Sequence, residues 1–202
     1  MKYIVGIDEV GRGPLAGPVT VCVVACEENL YKKLKRDSRL PKAGQDSKKL
    51  SPEYREKFAK VLKEIKISHA VVHVSHKTID AKGISFSVRK AIAQGLKKLN
   101  LNPKQCDVRL DGSLKAPVEF AKQKTIIKGD EKEKIISWAS ILAKVSRDHL
   151  MTRFGRKFPQ YGFETHKGYG TLYHRKAVVK HGISAIHRKS FLSSFLFVLP
   201  QK

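Results

Sequence analysis

The sequence predicts an α/β fold: a mixed β-sheet flanked by helices. Three observations predict it. Two β-branched runs near the start are separated by a glycine- and proline-rich connection, as in a strand pair. Helical and strand periodicities alternate after them. The length of 202 residues suits one packed body with at most a small appendage. A folded chain of this size removes roughly 70% of its extended-chain surface from water.

Each element has its own signal. Residues 3–8 are apolar almost throughout, as a central strand should be. Gly11-Arg12-Gly13-Pro14-Leu15-Ala16-Gly17-Pro18 connects them to a second strand over 19–25. Residues 29–49 are basic and irregular, a loop with room for a short helix. Ser51-Pro52-Glu53 is a helix start, with serine as N-cap, proline at the first turn and an early acid. Tyr54, Phe58, Val61, Leu62 and Ile65 then repeat at helical spacing. A strand over 67–74 and a helix over 86–99 follow. Two short strands end at Asp111-Gly112 and before Lys128-Gly129-Asp130, and a long helix is expected over 132–154. Beyond Phe158-Pro159 the pattern is irregular.

Charge narrows the function. There are 41 Lys and Arg against 18 Asp and Glu, a net +23. A polyanion is the natural partner of such a surface, because each neutralised phosphate releases condensed counterions. No amphipathic basic helix with an aromatic face argues for a membrane surface instead, and the apolar runs fall short of a span. The opening residues are too short and too soon charged for a signal peptide. Cys22, Cys26 and Cys106 form no CxxC pair, which speaks against a disulfide scaffold and a zinc site and fits a reducing cytoplasm.

Acids sit where strands end. Asp8 and Glu9 close the first strand, Asp111 another, and Asp130 follows Gly129. Ligands of α/β sheets collect outside such strand ends. Taken singly, each acid reads better as a turn residue or cap than as a ligand. Taken together, four carboxylates repel one another unless cations lie among them. Oxygen ligands without Cys or clustered His select Mg²⁺ or Mn²⁺. A carboxylate cluster in a basic chain is what two-metal phosphodiester hydrolysis requires.

The run from Gly6 to Val19, GIDEVGRGPLAGPV, resembles the opening signature of the type 2 ribonucleases H, the family of bacterial ribonuclease HII. Asp46-Ser47-Lys48-Lys49-Leu50, Leu110-Asp111-Gly112, Lys128-Gly129-Asp130, Ala139-Ser140-Ile141-Leu142-Ala143-Lys144-Val145, Arg147-Asp148, His166-Lys167-Gly168-Tyr169-Gly170-Thr171 and His187-Arg188-Lys189-Ser190-Phe191 keep the family's order across nearly the whole chain. The resemblance implies a ribonuclease H-like fold with a small helical C-terminal segment. It implies a catalytic domain over 1–158 and a substrate-contacting segment over 159–202. The implied activity is endonucleolytic cutting of the RNA strand of RNA/DNA hybrids and on the 5′ side of single ribonucleotides in duplex DNA. By resemblance Asp8, Glu9, Asp111 and Asp130 are the catalytic, metal-binding acids. Gly11, Arg12 and Gly13 form the loop that senses the 2′-hydroxyl. Tyr169 packs at the ribose–deoxyribose junction, and Lys48 and Lys49 form a basic strip near the substrate backbone. A monomer is expected. So is the absence of the extra N-terminal domain of ribonuclease HIII, since the first acid falls at residue 8.

Three departures stand out: the Ile79 to Ile92 region lacks the family's Asn-Ile and Ala-Met elements, Trp138 replaces a small residue, and Ala185 replaces a proline. Ser140 and Lys144, four apart on one helix, are candidate phosphate contacts. His166, His174, His181 and His187 match no common ligand spacing and read as phosphate contacts or solvated surface. No GxxxxGK[ST] loop is present, which speaks against an NTPase. Two other readings remain open from the residues alone: another ribonuclease H-fold nuclease such as a junction resolvase, and a non-enzymatic basic nucleic-acid-binding protein.

Overall fold

Alternation along the strands builds two cores, one on each face of a single sheet. A computed structural model describes residues 2–40, 50–65 and 67–196. Lys48 and Lys49 lie outside the described residues. The strands are β1 (Tyr3–Val10), β2 (Val19–Glu27), β3 (Ser68–Val74), β4 (Cys106–Asp111) and β5 (Gln123–Ile126). Their order is β3-β2-β1-β4-β5. β2 pairs antiparallel with β1 and β3, whereas β4 runs parallel to β1 and β5. The sheet is therefore mixed, as the sequence pattern predicts.

The helices are α1 (Glu28–Leu34), α2 (Pro52–Glu64), α3 (His76–Lys82), α4 (Ile84–Lys98), α5 (Gly129–Lys132), α6 (Lys134–Lys157), α7 (Phe163–His166), α8 (Leu172–His181) and α9 (Lys189–Leu196). Ser51 caps α2 as expected, its Oγ accepting from the Tyr54 N–H at 3.2 Å. On one face Ile4, Cys22, Val24 and Cys26 pack against α1, α2 and α6. On the other, Val5, Ile7, Val21, Val23, Val108 and Leu110 pack against α3 and α4. Each aliphatic side chain so buried is worth about 1.5–3 kcal/mol. Trp138 is fully buried in the first core, edge-on to Tyr31 with ring centroids 5.6 Å apart. Gly6 lets α6 lie directly on β1: a Cβ there would collide with the Ile135 carbonyl.

Three features go beyond or against the pattern reading. Residues 76–82 are helical, because Ser75 caps them through the Thr78 N–H. The stretch beyond Pro159 is largely helical, as the family resemblance implies and the local pattern does not. It packs through Tyr161, Phe163, Ala177, Val178 and Ile186 onto Met151 and Ala16. Four-residue turns of helix such as α7 are too short to show a period. The third concerns α2: Tyr54 is exposed although it shares the repeat of Phe58 and Leu62. Among the described residues no helix is long and apolar enough to cross a membrane.

Candidate active site

Parallel pairing of β1 with β4 brings two acids to one sheet end. The register pairs Ile7 with Leu110, so Asp8 and Asp111 are the next residues on each strand. Both fall on the α6 face by alternation, opposite to Ile7 and Leu110. Glu9 falls on the other face, yet its carboxylate curls round the strand end. One ligand oxygen from each of Asp8, Glu9 and Asp111 lies within 4.8 Å of the others. The Gly129 N–H fixes the Asp111 carboxylate, donating to Oδ1 at 2.7 Å. Ser140, from α6, hydrogen-bonds the Asp8 carboxyl.

The electrostatics call for a cation. Burial pushes the Asp8 carboxyl well above the usual carboxylate range, and the Glu9 and Asp111 charges push the same way. Glu9 is raised by burial as well, with Arg12, 3.3 Å from its Oε1, opposing. Glu9 Oε2 is buried and has no hydrogen-bond partner. An orphaned, buried carboxylate oxygen beside two other carboxylates fits a divalent ion with oxygen ligands.

Beside the acids, residues 11–18 form a loop held through its own main-chain groups, chiefly by two arginine side chains. Gly11 adopts φ +89°, a conformation that L side chains rarely take, and a Cβ there would strike the Arg147 guanidinium. A Cβ at Gly13 would meet nothing within 4 Å, so that side of the loop faces open space. Arg147 donates to the carbonyls of Ala16, Pro18 and Lys167. Arg188 donates to those of Gly11, Arg12 and Gly17. The Leu15 N–H bonds the Gly168 carbonyl at 2.8 Å, so this loop and the Tyr169 loop form one wall. Arg12 also lines a cleft of about 150 Å³ with Arg89 and Lys115, a cationic flank next to the acids.

The structure thus gathers Asp8, Glu9 and Asp111, with Gly11, Arg12 and Gly13 following them in the chain and the Tyr169 loop bonded to that glycine loop. Asp130 is buried next to Gly129 but lies outside the group of three. Ser140 sits under Asp8. Lys144 pairs with Asp148 at 2.8 Å and faces a separate cleft of about 400 Å³ with Arg55 and Lys167. His174 and His187 are not phosphate contacts or solvated surface. They are 0% and 2% exposed and bonded to each other at 3.0 Å. Their apolar surroundings, Tyr161 and Phe163, come from an irregular stretch whose burial no periodicity announces. Sequence reasoning also missed Arg147 and Arg188 as the supports of the glycine loop. Their membership of the quoted motifs was the available signal.

A mixed sheet with three carboxylates at adjoining strand ends, a cationic flank and a net +23 charge defines a metal-dependent nuclease of the ribonuclease H-like class. The sequence profile of the family described as Ribonuclease HII matches residues 5–194. The chain belongs to the ribonuclease HII family, whose members are metal-dependent ribonuclease H endonucleases. It is 42% identical over 195 residues to a ribonuclease HII of Clostridium beijerinckii, covering 96% of this chain and 69% of the relative. It is 41% identical over 196 residues to that of Caldicellulosiruptor saccharolyticus, covering 96% and 89%. Among solved structures, ribonuclease H2 from Pyrococcus horikoshii OT3 superposes with a TM-score of 0.73 at 26% identity over 93% of each chain. The Archaeoglobus fulgidus protein solved as a PCNA:RNase HII complex gives 0.72 at 27% identity over 98% of this chain and 97% of that one.

Proposed function

We propose that this ribonuclease H cuts duplex DNA on the 5′ side of a single embedded ribonucleotide, as well as the RNA strand of RNA/DNA hybrids. The observation that carries this reading is the wall formed by the glycine loop and the Tyr169 loop, joined by the Leu15–Gly168 bond, next to the three acids. DNA and RNA differ at the backbone by the 2′-hydroxyl, which both donates and accepts. At Gly13, which faces open space, main-chain groups approach that hydroxyl with no side chain in the way, and Gly11 supplies the φ +89° turn that presents them. The Tyr169 ring, 43% exposed, packs on the next sugar, where a second 2′-hydroxyl would crowd it.

Two divalent ions, Mg²⁺ or Mn²⁺, held by Asp8, Glu9, Asp111 and Asp130, would supply the charge that activates water and neutralises the phosphate. Ser140 and the Gly129 N–H hold two of these carboxylates in place, and Arg12 restrains Glu9. Water attacks the phosphorus on the 5′ side of the ribonucleotide, the P–O3′ bond breaks, and 3′-hydroxyl and 5′-phosphate ends result. The active unit is a cytoplasmic monomer, with residues 159–202 as its substrate-contacting segment and Lys48 and Lys49 along the substrate backbone. Tyr169→Ala tests the reading. It should depress cutting at an isolated ribonucleotide far more than cutting of a continuous hybrid. Equal loss on both substrates would remove the junction-sensing role.

A further inference from the structure

Tyr169 stands at the end of a hydrogen-bond chain that leaves no choice of tautomer. His174 Nδ1 lies 2.9 Å from the Tyr169 carbonyl oxygen. A carbonyl only accepts, so Nδ1 carries the proton and Nε2 of the neutral ring offers a lone pair. That lone pair faces His187 Nε2 at 3.0 Å, which must therefore donate. His187 Nδ1 is then bare and accepts from the Ser184 N–H at 2.8 Å. An obligate donor closes one end of the chain and an obligate acceptor the other, so its direction is fixed. His166 stacks on His174 with ring centroids 4.4 Å apart. It donates from Nε2 to the Tyr161 carbonyl at 2.6 Å and accepts at Nδ1 from the Gly168 N–H at 3.2 Å. Burial holds both His174 and His187 down to about 4, which keeps the pair neutral near pH 7.

We infer that His174 and His187 are positioning residues for Tyr169, and through it for recognition of the ribose–deoxyribose junction. This rests on the role assigned to Tyr169 above. The ring of Tyr169 is too exposed to be locked by packing, so its place is set from its backbone. The carbonyl is held by His174 Nδ1 and the Thr171 N–H, and the N–H by the His166 carbonyl. Among the described residues, the histidine bond ties that carbonyl through side chains to the segment before α9. The competing account is that the two imidazoles merely fill space beside Phe163.

The tautomers separate the two accounts. An Asn amide nitrogen falls near the place of Nδ1, and a Gln amide nitrogen near that of Nε2. At position 174 the needed donor is at Nδ1: His174→Asn keeps it but severs the link to His187, so it should lower discrimination no more than His187→Asn does, whereas His174→Gln should lower it further. At position 187 the needed donor is at Nε2, so the pattern reverses: His187→Gln preserves and His187→Asn loses. The readout is the ratio of kcat/KM on a single-ribonucleotide duplex to that on a continuous hybrid, with thermal midpoints measured alongside. His187→Asn should lower the ratio about tenfold, near the worth of one net hydrogen bond. A ratio that stays at the wild-type value in all four variants, or falls alike in Asn and Gln at one site, would overturn the inference. Tyr169→Ala in the same assay distinguishes the failures. If it lowers the ratio while the histidine variants do not, the inference alone falls; if it does not, the reading of Tyr169 falls with it. ¹⁵N spectra of the wild-type imidazoles do not depend on any variant folding. They should show His174 protonated at Nδ1 and His187 at Nε2, and the opposite assignment would contradict the chain.

Discussion

Arg188 Nη2 donates to the Gly11 carbonyl at 2.7 Å, from a guanidinium with no exposed surface. It also bonds the carbonyls of Arg12 and Gly17, and it makes no ion pair among the described residues. Burial and the Arg147 charge pull this guanidinium down to about 9, a cost that the three carbonyl bonds offset. The residue that shapes the glycine loop therefore lies at the far end of the sequence. Arg188→Met should leave the buried Gly11 and Gly17 carbonyls unsatisfied and destabilise the fold by about 2 kcal/mol or more, at about 1–3 kcal/mol per buried group. Urea denaturation measures this, and a loss below about 1 kcal/mol would mean that water replaces the guanidinium.

The acids should behave differently. Asp8→Asn removes one of three mutually repelling carboxylates, so the metal-free protein should keep or raise its thermal midpoint while cleavage is abolished. Asp111→Asn should act likewise, and Asp130→Asn should be damaging but milder, because Asp130 stands outside the group of three. Adding Mn²⁺ should raise the midpoint of the wild type and not that of Asp8→Asn. A normal rate in either of the first two variants at saturating Mg²⁺ would remove the site.

Two glycines two residues apart should fail in different ways. Gly11→Ala forces an L residue into φ +89° against Arg147 and should lower stability. Gly13→Ala meets open space and should fold with an unchanged midpoint. Its methyl group would instead stand where substrate approaches, so KM on a single-ribonucleotide duplex should rise. Circular dichroism melts beside steady-state kinetics check both; a Gly13→Ala enzyme with wild-type KM would place the substrate elsewhere.

Acid should weaken the C-terminal segment first. Folded His174 and His187 stay neutral down to about pH 4, whereas unfolded histidine takes up a proton near 6.5. Between those values the unfolded chain binds more protons, so stability is full above about 6.5 and falls as pH drops toward 4. Thermal midpoints across this window should decline, and less steeply in the His174→Asn, His187→Gln double variant. The same slope in both proteins would assign the acid sensitivity to other groups.

How much of this was legible in sequence depends on the type of signal. The strand-end acids were legible because Asp8 and Asp111 interrupt apolar runs, and the parallel register of β1 and β4 then brings them together. The cap at Ser51 and the two-faced sheet followed from composition and alternation. The supports of the site were not legible. Arg147, Arg188, His174 and His187 look like surface residues by type, and their burial depends on main-chain carbonyls over a hundred residues distant or on an irregular segment. Ser140 was found by spacing, but its hydrogen bond to the Asp8 carboxyl was not legible there. Three departures from the family pattern fall elsewhere, with Trp138 in the core beneath α6 and Ala185 in the turn between α8 and α9. In the 79–92 region, Asp80 accepts from the Lys189 and Ser190 N–H groups and so caps α9.

The most direct test of the central claim is product mapping on a DNA duplex carrying one ribonucleotide, with Mg²⁺ or Mn²⁺ and with neither. The wild-type enzyme should cut once, on the 5′ side of the ribonucleotide, leaving a 3′-hydroxyl and a 5′-phosphate, and only with the metal present. An all-DNA duplex should stay intact. Cutting on the 3′ side, a 2′,3′-cyclic phosphate end, or equal cutting of the all-DNA duplex would contradict the roles given to the carboxylate cluster and the ribose-sensing wall.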